Sequence, residues 1–245
     1  MTNIQSGIPG FDQLTVSELT EGGIPEKSTT LIYGPPKTGK SIFCNQFTYN
    51  GLSNQEPCLY VSTDQGYKQV QTDMMDFQWL IQNYIQNQAI YFIDGISHLS
   101  GGKLENKNNI ISSFVSNPAD LMVKVGIGTR NVYKTSNHFR SILDSLNTLF
   151  AFNPDQMVIR ILKAYLRRIT EAGGTGLIAY TEGITDPKTE KELKSLFNNT
   201  IRLDGQHIHI KSDHPDFDEV QYFESTYTIT DNGIVVNENN FKNIN

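Results

Sequence analysis

A glycine-rich segment between residues 34 and 41 carries the clearest chemical signal in the sequence. It matches the pattern G-x-x-x-x-G-K-[ST], in which a loop wraps a polyphosphate and successive backbone N–H groups point inward. Glycine permits the backbone angles and close approach that such a loop needs, and the following helix presents unpaired N–H groups to the anion. The pattern predicts a nucleoside triphosphate site formed by Gly34, Pro35, Pro36, Lys37, Thr38, Gly39, Lys40 and Ser41.

Three side chains of this segment carry polar groups that bear on the chemistry. Lys40 is placed to reach the β- and γ-phosphates, and the hydroxyl of Ser41 is placed to hold Mg²⁺. Lys37 lies inside the loop, where its ammonium group either adds positive charge near the phosphates or points to solvent.

A triphosphate site of this kind also needs an acid at the end of a nearby strand, which orients the water shell of the Mg²⁺ ion. Two aspartates meet this description, because Asp144 ends an apolar run that starts at Phe139 and Asp94 ends one that starts at Ile90. Aspartates at strand ends also serve as helix caps or turn residues. From the residues alone, both remain candidates.

Short apolar runs alternate with helical patterns around the loop, which predicts a mostly parallel sheet covered by helices. The predicted parallel strands are residues 29–33, 58–62, 89–93, 139–144 and 176–181. The predicted helices are residues 40–50, 65–84 with a break near Asp76, a segment that begins at Asn117, a segment that begins at Asn153, and 188–197.

Two other stretches differ from this alternation. Residues 95–113 are polar and rich in Gly, Asn and Ser, so we expect a loop there. From Thr200 onward the pattern predicts antiparallel strands that extend the same sheet, at 200–203, 207–211, 221–229 and 234–236. Without an internal repeat or a linker, residues 1–245 are expected to form a single domain.

Composition and charge limit the class of function. A hydrophobic content of 38% is ordinary for a globular protein and argues against disorder. The formal net charge of −6 disfavours unspecific attraction to nucleic acid or to an anionic membrane. Four basic residues lie close together in sequence, and we interpret them as the solvated face of one helix: Arg160, Lys163, Arg167 and Arg168.

The cysteines and the apolar runs bear on the compartment. Cys44 and Cys58 fit no metal-ligand spacing and no disulfide framework, so we expect small core residues in a reducing compartment. The first ten residues lack the basic start and apolar run of a signal peptide. No apolar stretch approaches the roughly 20 residues that span a bilayer. We therefore expect a cytoplasmic protein.

Several stretches, taken in order, resemble the KaiC-like branch of the RecA superfamily, which includes the archaeal RadA paralogues. They are SGIPGFD at 6–12, GGIP at 22–25, LIYGPP at 31–36, EPCLYVS at 56–62, SILDSL at 141–146 and YTITDNGI at 227–234. The similarity runs nearly end to end, and the ordered set is more specific than the phosphate loop alone.

This resemblance implies a RecA-like P-loop NTPase fold that binds ATP with Mg²⁺. It also implies a homo-oligomeric ring with nucleotide sites at subunit boundaries, a hexamer being one such ring. Because residues 141–146 resemble the Mg²⁺-orienting strand of the family, Ser41 and Asp144 become the expected metal residues, and Asp94 becomes the alternative.

One departure from the family concerns the catalytic base. The family usually places two glutamates after the second strand, one of which activates the attacking water, whereas this chain has Asp64 and Gln65. Aspartate is one methylene shorter, and glutamine is not a base at neutral pH, so we expect slow or absent hydrolysis. Asp64 is the candidate base, with a helix cap as the alternative interpretation.

Two more residues are catalytic candidates by the same resemblance. The family often carries a Lys-x-Arg pair that reaches the nucleotide of the neighbouring subunit; here Lys211 is kept and Asp213 replaces the arginine. The alternative for Lys211 is a surface lysine on a strand. Thr181 and Glu182 end the fifth strand, where related proteins use a polar residue to sense the nucleotide. Glu182 either partly replaces the missing base or only caps the end of the strand.

These residues leave three classes of function open. The first is an ATPase that works as a homo-oligomeric ring, the second an ATP-binding scaffold subunit that hydrolyses little, and the third a DNA-binding recombinase accessory protein. Asp64, Gln65 and Asp213 favour the second class, an ATP-binding regulatory or scaffolding subunit that hydrolyses little. We therefore expect a weak Mg²⁺-dependent ATPase that acts as a regulatory or signalling oligomer with an unknown client protein. The net charge and the acid-containing segment 185–192 count against nucleic acid, and the salt dependence of DNA binding would discriminate.

Overall fold

Helices cover both faces of a large sheet in the computed structural model of the chain, which describes residues 3–17, 21–99, 109–213, 220–237 and 242–243. The strands are β1 Asn3–Ile4, β2 Ile24–Pro25, β3 Thr29–Gly34, β4 Cys58–Ser62, β5 Ile90–Asp94, β6 Ile110–Ser112, β7 Phe139–Asp144, β8 Gly174–Thr181, β9 Asn199–Leu203, β10 His207–Ser212, β11 Gln221–Thr230, β12 Gly233–Val236 and β13 Lys242–Asn243. The helices are α1 Phe11–Leu14, α2 Lys40–Ser53, α3 Tyr67–Asp76, α4 Gln82–Gln86, α5 Pro118–Tyr133, α6 Leu146–Phe152, α7 Asp155–Glu171 and α8 Pro187–Lys194. None of these helices is long and apolar enough to cross a membrane.

The strand order places the phosphate loop near the middle of the sheet. Seven neighbouring strands run parallel in the spatial order β9, β3, β8, β7, β4, β5 and β6. Beyond β9 the sheet continues antiparallel through β10, β11 and β12, and β13 pairs with β11. This topology confirms the predicted α/β fold, with a mostly parallel sheet and antiparallel strands at its C-terminal end.

Two hydrophobic cores lie on opposite faces of the sheet because side chains alternate along each strand. Ile32 and Tyr60 belong to the core that also contains Phe43 of α2. Leu31 and Leu59, one position earlier in each strand, belong to the core that also contains residues of α5, α6, α7 and α8. Central strands such as β4 and β5 are buried on both faces, which is why their sequences are continuously apolar.

The structure corrects the sequence interpretation in three places. Residues 200–203, expected to form an antiparallel strand, lie in β9, which runs parallel to β3 and pairs in antiparallel fashion only with β10. Ile110–Ser112, expected to lie in a loop, is a strand that pairs in parallel with β5; the expected loop at 100–108 lies outside the described residues. The seven-residue helix Leu146–Phe152 was not predicted, since it is short and directly follows a strand end. Its N-cap is Ser145, whose side chain accepts a hydrogen bond from the amide of Asn147.

A buried arginine ties the N-terminal segment and α2 to β7. Arg140 is 1% exposed, and its guanidinium donates to Glu56 Oε2 at 2.7 Å, to the Phe47 carbonyl at 2.7 Å and to the Gln5 carbonyl at 2.9 Å. A buried guanidinium is stable only with such a set of partners. Because β7 ends at Asp144, this cluster helps to fix the strand that presents the carboxylate to α2.

Both cysteines are buried and free, as expected from the sequence. Burial raises the pKa of Cys44 well above its usual value and that of Cys58 to about 12. The two side chains are therefore neutral thiols at physiological pH and pack as small apolar residues.

Candidate functional site

The connection between β3 and α2 lies at the carboxyl end of the parallel strands, between β8 and β9. Gly34 ends β3 with a φ of 147°, and a Cβ atom there would lie 1.9 Å from the carbonyl oxygen of Leu203. Glycine is required because β9 passes so closely. Lys37 and Gly39 also have positive φ values of 63° and 94°, which curve the loop into a concave turn.

Side chains of this segment donate hydrogen bonds to its carbonyl groups, whereas several of its backbone amides have no partner in the described residues. Lys40 Nζ donates to the carbonyls of Gly34 at 3.1 Å and Pro35 at 2.5 Å, and Thr38 Oγ1 donates to Pro35 at 3.0 Å. Among the described residues, the amides of positions 37–39 have no hydrogen-bond partner. These donors and the following helix N-terminus suit an anion.

Lys40 supplies the positive charge of the loop. Its side chain is buried, and burial lowers the pKa of its ammonium group, while the carboxylates of Asp144 and Glu182 act in the opposite direction. Phosphate oxygens are stronger acceptors for an ammonium group than neutral carbonyls are. An incoming triphosphate can therefore replace the two carbonyl partners of Lys40.

Asp144 lies beside the first turn of α2, as the metal assignment requires. Ser41 Oγ donates to Asp144 Oδ1 at 3.2 Å. The hydroxyl of Tyr60 donates to Asn45 Oδ1 at 2.7 Å and lies 3.3 Å from Asp144 Oδ2. Burial, and to a lesser degree the charge of Asp64, raises the pKa of Asp144 to about 6. A carboxylate and a hydroxyl at one point match the oxygen ligands that Mg²⁺ prefers.

Asp94, the alternative to Asp144, is occupied by its own loop. Its carboxylate accepts hydrogen bonds from the amides of Tyr67 at 3.0 Å, Ile96 at 3.1 Å and Ser97 at 2.9 Å. It also accepts one from the Ser97 hydroxyl at 2.6 Å. Asp94 ends β5, two strands away from β7, and it does not line the cavity at the loop. These contacts make it a turn and helix cap.

Asp64 lies in the cavity, but helix α6 holds its carboxylate. Oδ2 accepts hydrogen bonds from Ser145 Oγ at 2.6 Å and Asn147 Nδ2 at 3.1 Å. Oδ1 accepts from Thr148 N at 3.1 Å and Thr148 Oγ1 at 2.5 Å. A carboxylate offers about four lone-pair directions. The four donors therefore occupy the acceptor positions that a catalytic water would need.

Asn147 is a site residue that sequence reasoning missed. Its Nδ2 contacts both Asp64 Oδ2 and Thr181 Oγ1, each at 3.1 Å, and its Oδ1 accepts from the amide of Thr181 at 3.0 Å. The side chain thus joins the ends of β4 and β8 across β7. The only signal in the sequence is its position shortly after Asp144, because the contact depends on how three strands are ordered in the sheet.

Glu182 and Lys211 lie outside this cavity within the protomer. The Glu182 carboxylate forms ion pairs with Lys194 Nζ at 3.2 Å and Arg202 Nε at 3.3 Å. Lys211 lies on β10, opposite Thr200 of β9, which in turn pairs with the third residue of β3. Neither side chain lines the cavity, although the Glu182 amide donates to the Gly34 carbonyl at 3.0 Å. The catalytic roles of both residues stay predictions.

The cavity itself has a volume of about 450 Å³ and opens to solvent. Its lining comes from the loop, the start of α2, the ends of β4, β7 and β8 with the residues that follow them, and β11: Pro36, Lys37, Thr38, Gly39, Lys40, Ser41, Ile42, Asp64, Asp144, Ser145, Asn147, Ala179, Thr181 and Ile229. In the described part of the chain, no three His, Cys, Asp or Glu side chains form a cluster that could hold a metal ion by themselves. The oxygens of Ser41 and Asp144 are too few to hold a cation alone, but they suit one that also binds the oxygens of a polyphosphate.

Comparison with known proteins adds sequence relatives. A family model described as "ATPase: KaiC" matches residues 4–214. A UPF0273 protein of Pyrococcus furiosus is 31% identical over 173 residues, which cover 71% of this chain and 64% of that protein. A UPF0273 protein of Methanocaldococcus jannaschii is 29% identical over 215 residues, which cover 85% of this chain and 82% of that protein. The match thus spans less than two thirds of the first of these relatives.

One solved structure extends the comparison to the fold. The crystal structure of a KaiC-like protein from Pyrococcus horikoshii has a TM-score of 0.68 to this chain at 21% identity. The superposition covers 96% of this chain and 98% of that chain. At this level of identity, the likeness establishes a common fold.

Replacing Asp144 should stabilise the nucleotide-free protein at neutral and higher pH. Since the pKa of Asp144 is about 6 when folded and near 3.8 otherwise, the folded chain binds more protons between these values, and stability falls as pH rises through them. Asp144→Asn removes this cost, so we expect about 1–2 kcal/mol greater unfolding free energy at pH 8 and no gain below about pH 4. Chemical denaturation without nucleotide or Mg²⁺ measures it.

Asp94→Asn is the matched control for this measurement. Its carboxylate caps backbone amides, so the variant should lose stability at pH 8. If Asp144→Asn were also less stable than the unchanged protein at pH 8, the inference that the charged form of Asp144 destabilises the folded chain would be wrong.

Proposed function

Because this chain belongs to the KaiC family of ATPases, we propose that it binds ATP with Mg²⁺ at residues 34–41 and acts as a regulatory or signalling oligomer with slow turnover. The observation that carries the proposal is the loop itself. Its amides at 37–39 lack partners among the described residues while Lys40 Nζ rests on two loop carbonyls, an arrangement that a triphosphate completes.

The residues beside the loop fit a magnesium ion. Ser41 Oγ and Asp144 Oδ1 are 3.2 Å apart, so a hydroxyl and a carboxylate converge at the edge of the cavity. Ser41 would bind the ion directly and Asp144 would orient its water ligands. When bound, Mg²⁺ supplies positive charge that neutralises the β- and γ-phosphate oxygens.

Slow turnover follows from the state of the candidate base. Asp64 already accepts four hydrogen bonds from residues 145–148, so it would have to release a donor before it took a proton from water. Glu182, the other candidate, is held by Lys194 and Arg202. Binding therefore has more support than rapid hydrolysis.

A non-hydrolysing scaffold subunit is the second candidate, and the same saturation of Asp64 favours it. In both cases the nucleotide would stabilise an association of protomers and thereby report ATP to a client protein. We place this function in the cytoplasm, as expected from the sequence, and we do not include nucleic acid among the partners because the net charge is −6.

Lys40→Ala should abolish nucleotide binding, since it removes the buried ammonium group that meets the phosphates. We expect ATP·Mg²⁺ affinity to fall at least about 100-fold by isothermal titration calorimetry. Lys37→Ala is the matched control, because Lys37 is an exposed lysine of the same loop and should cost much less. Unchanged affinity in Lys40→Ala would contradict the site assignment.

Steady-state ATP hydrolysis should be slow because Asp64 has no free acceptor position. We expect each protomer to complete fewer than about one turnover per second, which is slow for an enzyme. Lys40→Ala controls for contaminating ATPases, and Asp64→Asn should remove any hydrolysis that uses Asp64 as a base. Faster hydrolysis than this in the unchanged protein would refute the impaired site, whereas a rate equal to that of Lys40→Ala would favour the scaffold.

ATP should promote self-association. Light scattering is expected to give a mass above the 27.6 kDa of one protomer when ATP·Mg²⁺ is present, and a smaller mass without it. Lys40→Ala should show no such response. A mass equal to one protomer under both conditions would contradict the oligomeric part of the proposal.

A further inference from the structure

Tyr227 lies on β11, in the hairpin that β11 and β12 form at the C-terminal end of the sheet, and it contacts the phosphate loop, residues 34–41. The Tyr227 hydroxyl donates to the carbonyl oxygen of Thr38 at 2.6 Å. The same hydroxyl accepts a hydrogen bond from the amide of Gly205 at 3.0 Å, in the turn between β9 and β10. Tyr227 is 5% exposed, so this is a buried contact between three segments that are far apart in sequence.

The contact fixes the orientation of the peptide unit between Thr38 and Gly39. A peptide bond is planar and trans, so its carbonyl oxygen and amide hydrogen point in opposite directions. When Tyr227 holds the Thr38 carbonyl, the Gly39 amide is directed away from the hairpin. That amide has no partner among the described residues, and Gly39 lines the cavity.

Tyr227 is itself held in place because α2 and the N-terminal segment fix the hairpin. Gln46 of α2 donates through Nε2 to the carbonyl of Ile234 at 3.2 Å and accepts at Oε1 from the amide of Ile234 at 2.8 Å. The amide of Val236 donates to the carbonyl of Pro9 at 2.9 Å. The strands that carry Tyr227 are thus hydrogen-bonded to α2 and to the N-terminal segment, which hold the tyrosine next to the loop.

Burial also keeps the hydroxyl in its donating form. Desolvation raises the pKa of Tyr227 above its usual value, and the charge of Asp204 acts in the same direction. The neutral phenol donates its proton to Thr38 throughout the physiological range. A phenylalanine would fill nearly the same space but leave the Thr38 carbonyl without this partner.

We propose that Tyr227 is a positioning residue for triphosphate binding, which holds the Thr38 carbonyl outward so that the Gly39 amide faces the phosphates. This inference rests on the function proposed above and adds the hairpin to the nucleotide site. By linkage, a bound triphosphate strengthens the contacts of the hairpin and of the turn between β9 and β10. Binding of a triphosphate at the loop would thereby stabilise the C-terminal strands of the sheet.

Tyr227→Phe tests the proposal with two ligands, ATP·Mg²⁺ and inorganic tripolyphosphate·Mg²⁺, measured by titration calorimetry on folded protein. The affinity for both should fall by the same factor, about tenfold, because the lost contact orients an amide that meets the phosphates. Tyr222→Phe is the matched control on the same strand, since Tyr222 is 45% exposed, and it should leave both affinities unchanged.

The other outcomes overturn the inference in distinguishable ways. A lower melting temperature of Tyr227→Phe with unchanged affinities would make Tyr227 a core residue only. Loss of ATP affinity with unchanged tripolyphosphate affinity would mean that Tyr227 affects binding of the nucleoside and not of the phosphates. If the unchanged protein bound neither ligand, the proposed function itself would fail.

A measurement on the unchanged protein avoids any dependence on the folding of the variant. Amide hydrogen exchange at Gly205 should slow at least about fivefold when tripolyphosphate·Mg²⁺ is added, because its N–H is bonded to the Tyr227 hydroxyl. Exchange at Gly205 that does not change on ligand binding would overturn the proposed link.

Discussion

The structure depends on a loop that must keep its backbone amides unpaired while its carbonyl groups are satisfied. An unpaired polar group is costly wherever water is excluded, so such a loop is stable only when something binds its oxygens from the protein side. Lys40 and the amide of Glu182 bind the Gly34 carbonyl, and Tyr227 binds the carbonyl of Thr38. The donors that remain then face the cavity, where an anion from solvent can meet them.

The sheet explains why these groups meet. Parallel strands end on the same edge, and β3, β8, β7 and β4 are neighbours in that order. The phosphate loop, Thr181, Asp144 and the segment that carries Asp64 therefore converge at one cavity, although they span much of the chain. The antiparallel strands beyond β9 add Tyr227 and Ile229 from the other side.

Two carboxylates share this cavity, and their surroundings separate their roles. Asp144 accepts a hydrogen bond from the Ser41 hydroxyl, and burial raises its pKa to about 6, so a nearby cation would stabilise its charged form. Asp64 is saturated by donors from the start of α6 and stabilises that helix. The occupied carboxylate of Asp64 is the observation that supports the slow turnover proposed above.

The sequence by itself determined the local parts of this protein. The phosphate loop, the strand that ends at Asp144, the parallel core and the late antiparallel strands follow from glycine spacing and from apolar periodicity, which act over a few residues. Only the tertiary structure placed Asp144 beside Ser41 and Asp94 two strands away, occupied Asp64 with donors from α6, and brought Asn147 and Tyr227 to the site. These outcomes depend on strand order and on hydrogen bonds between residues as many as 189 positions apart, which no local pattern encodes.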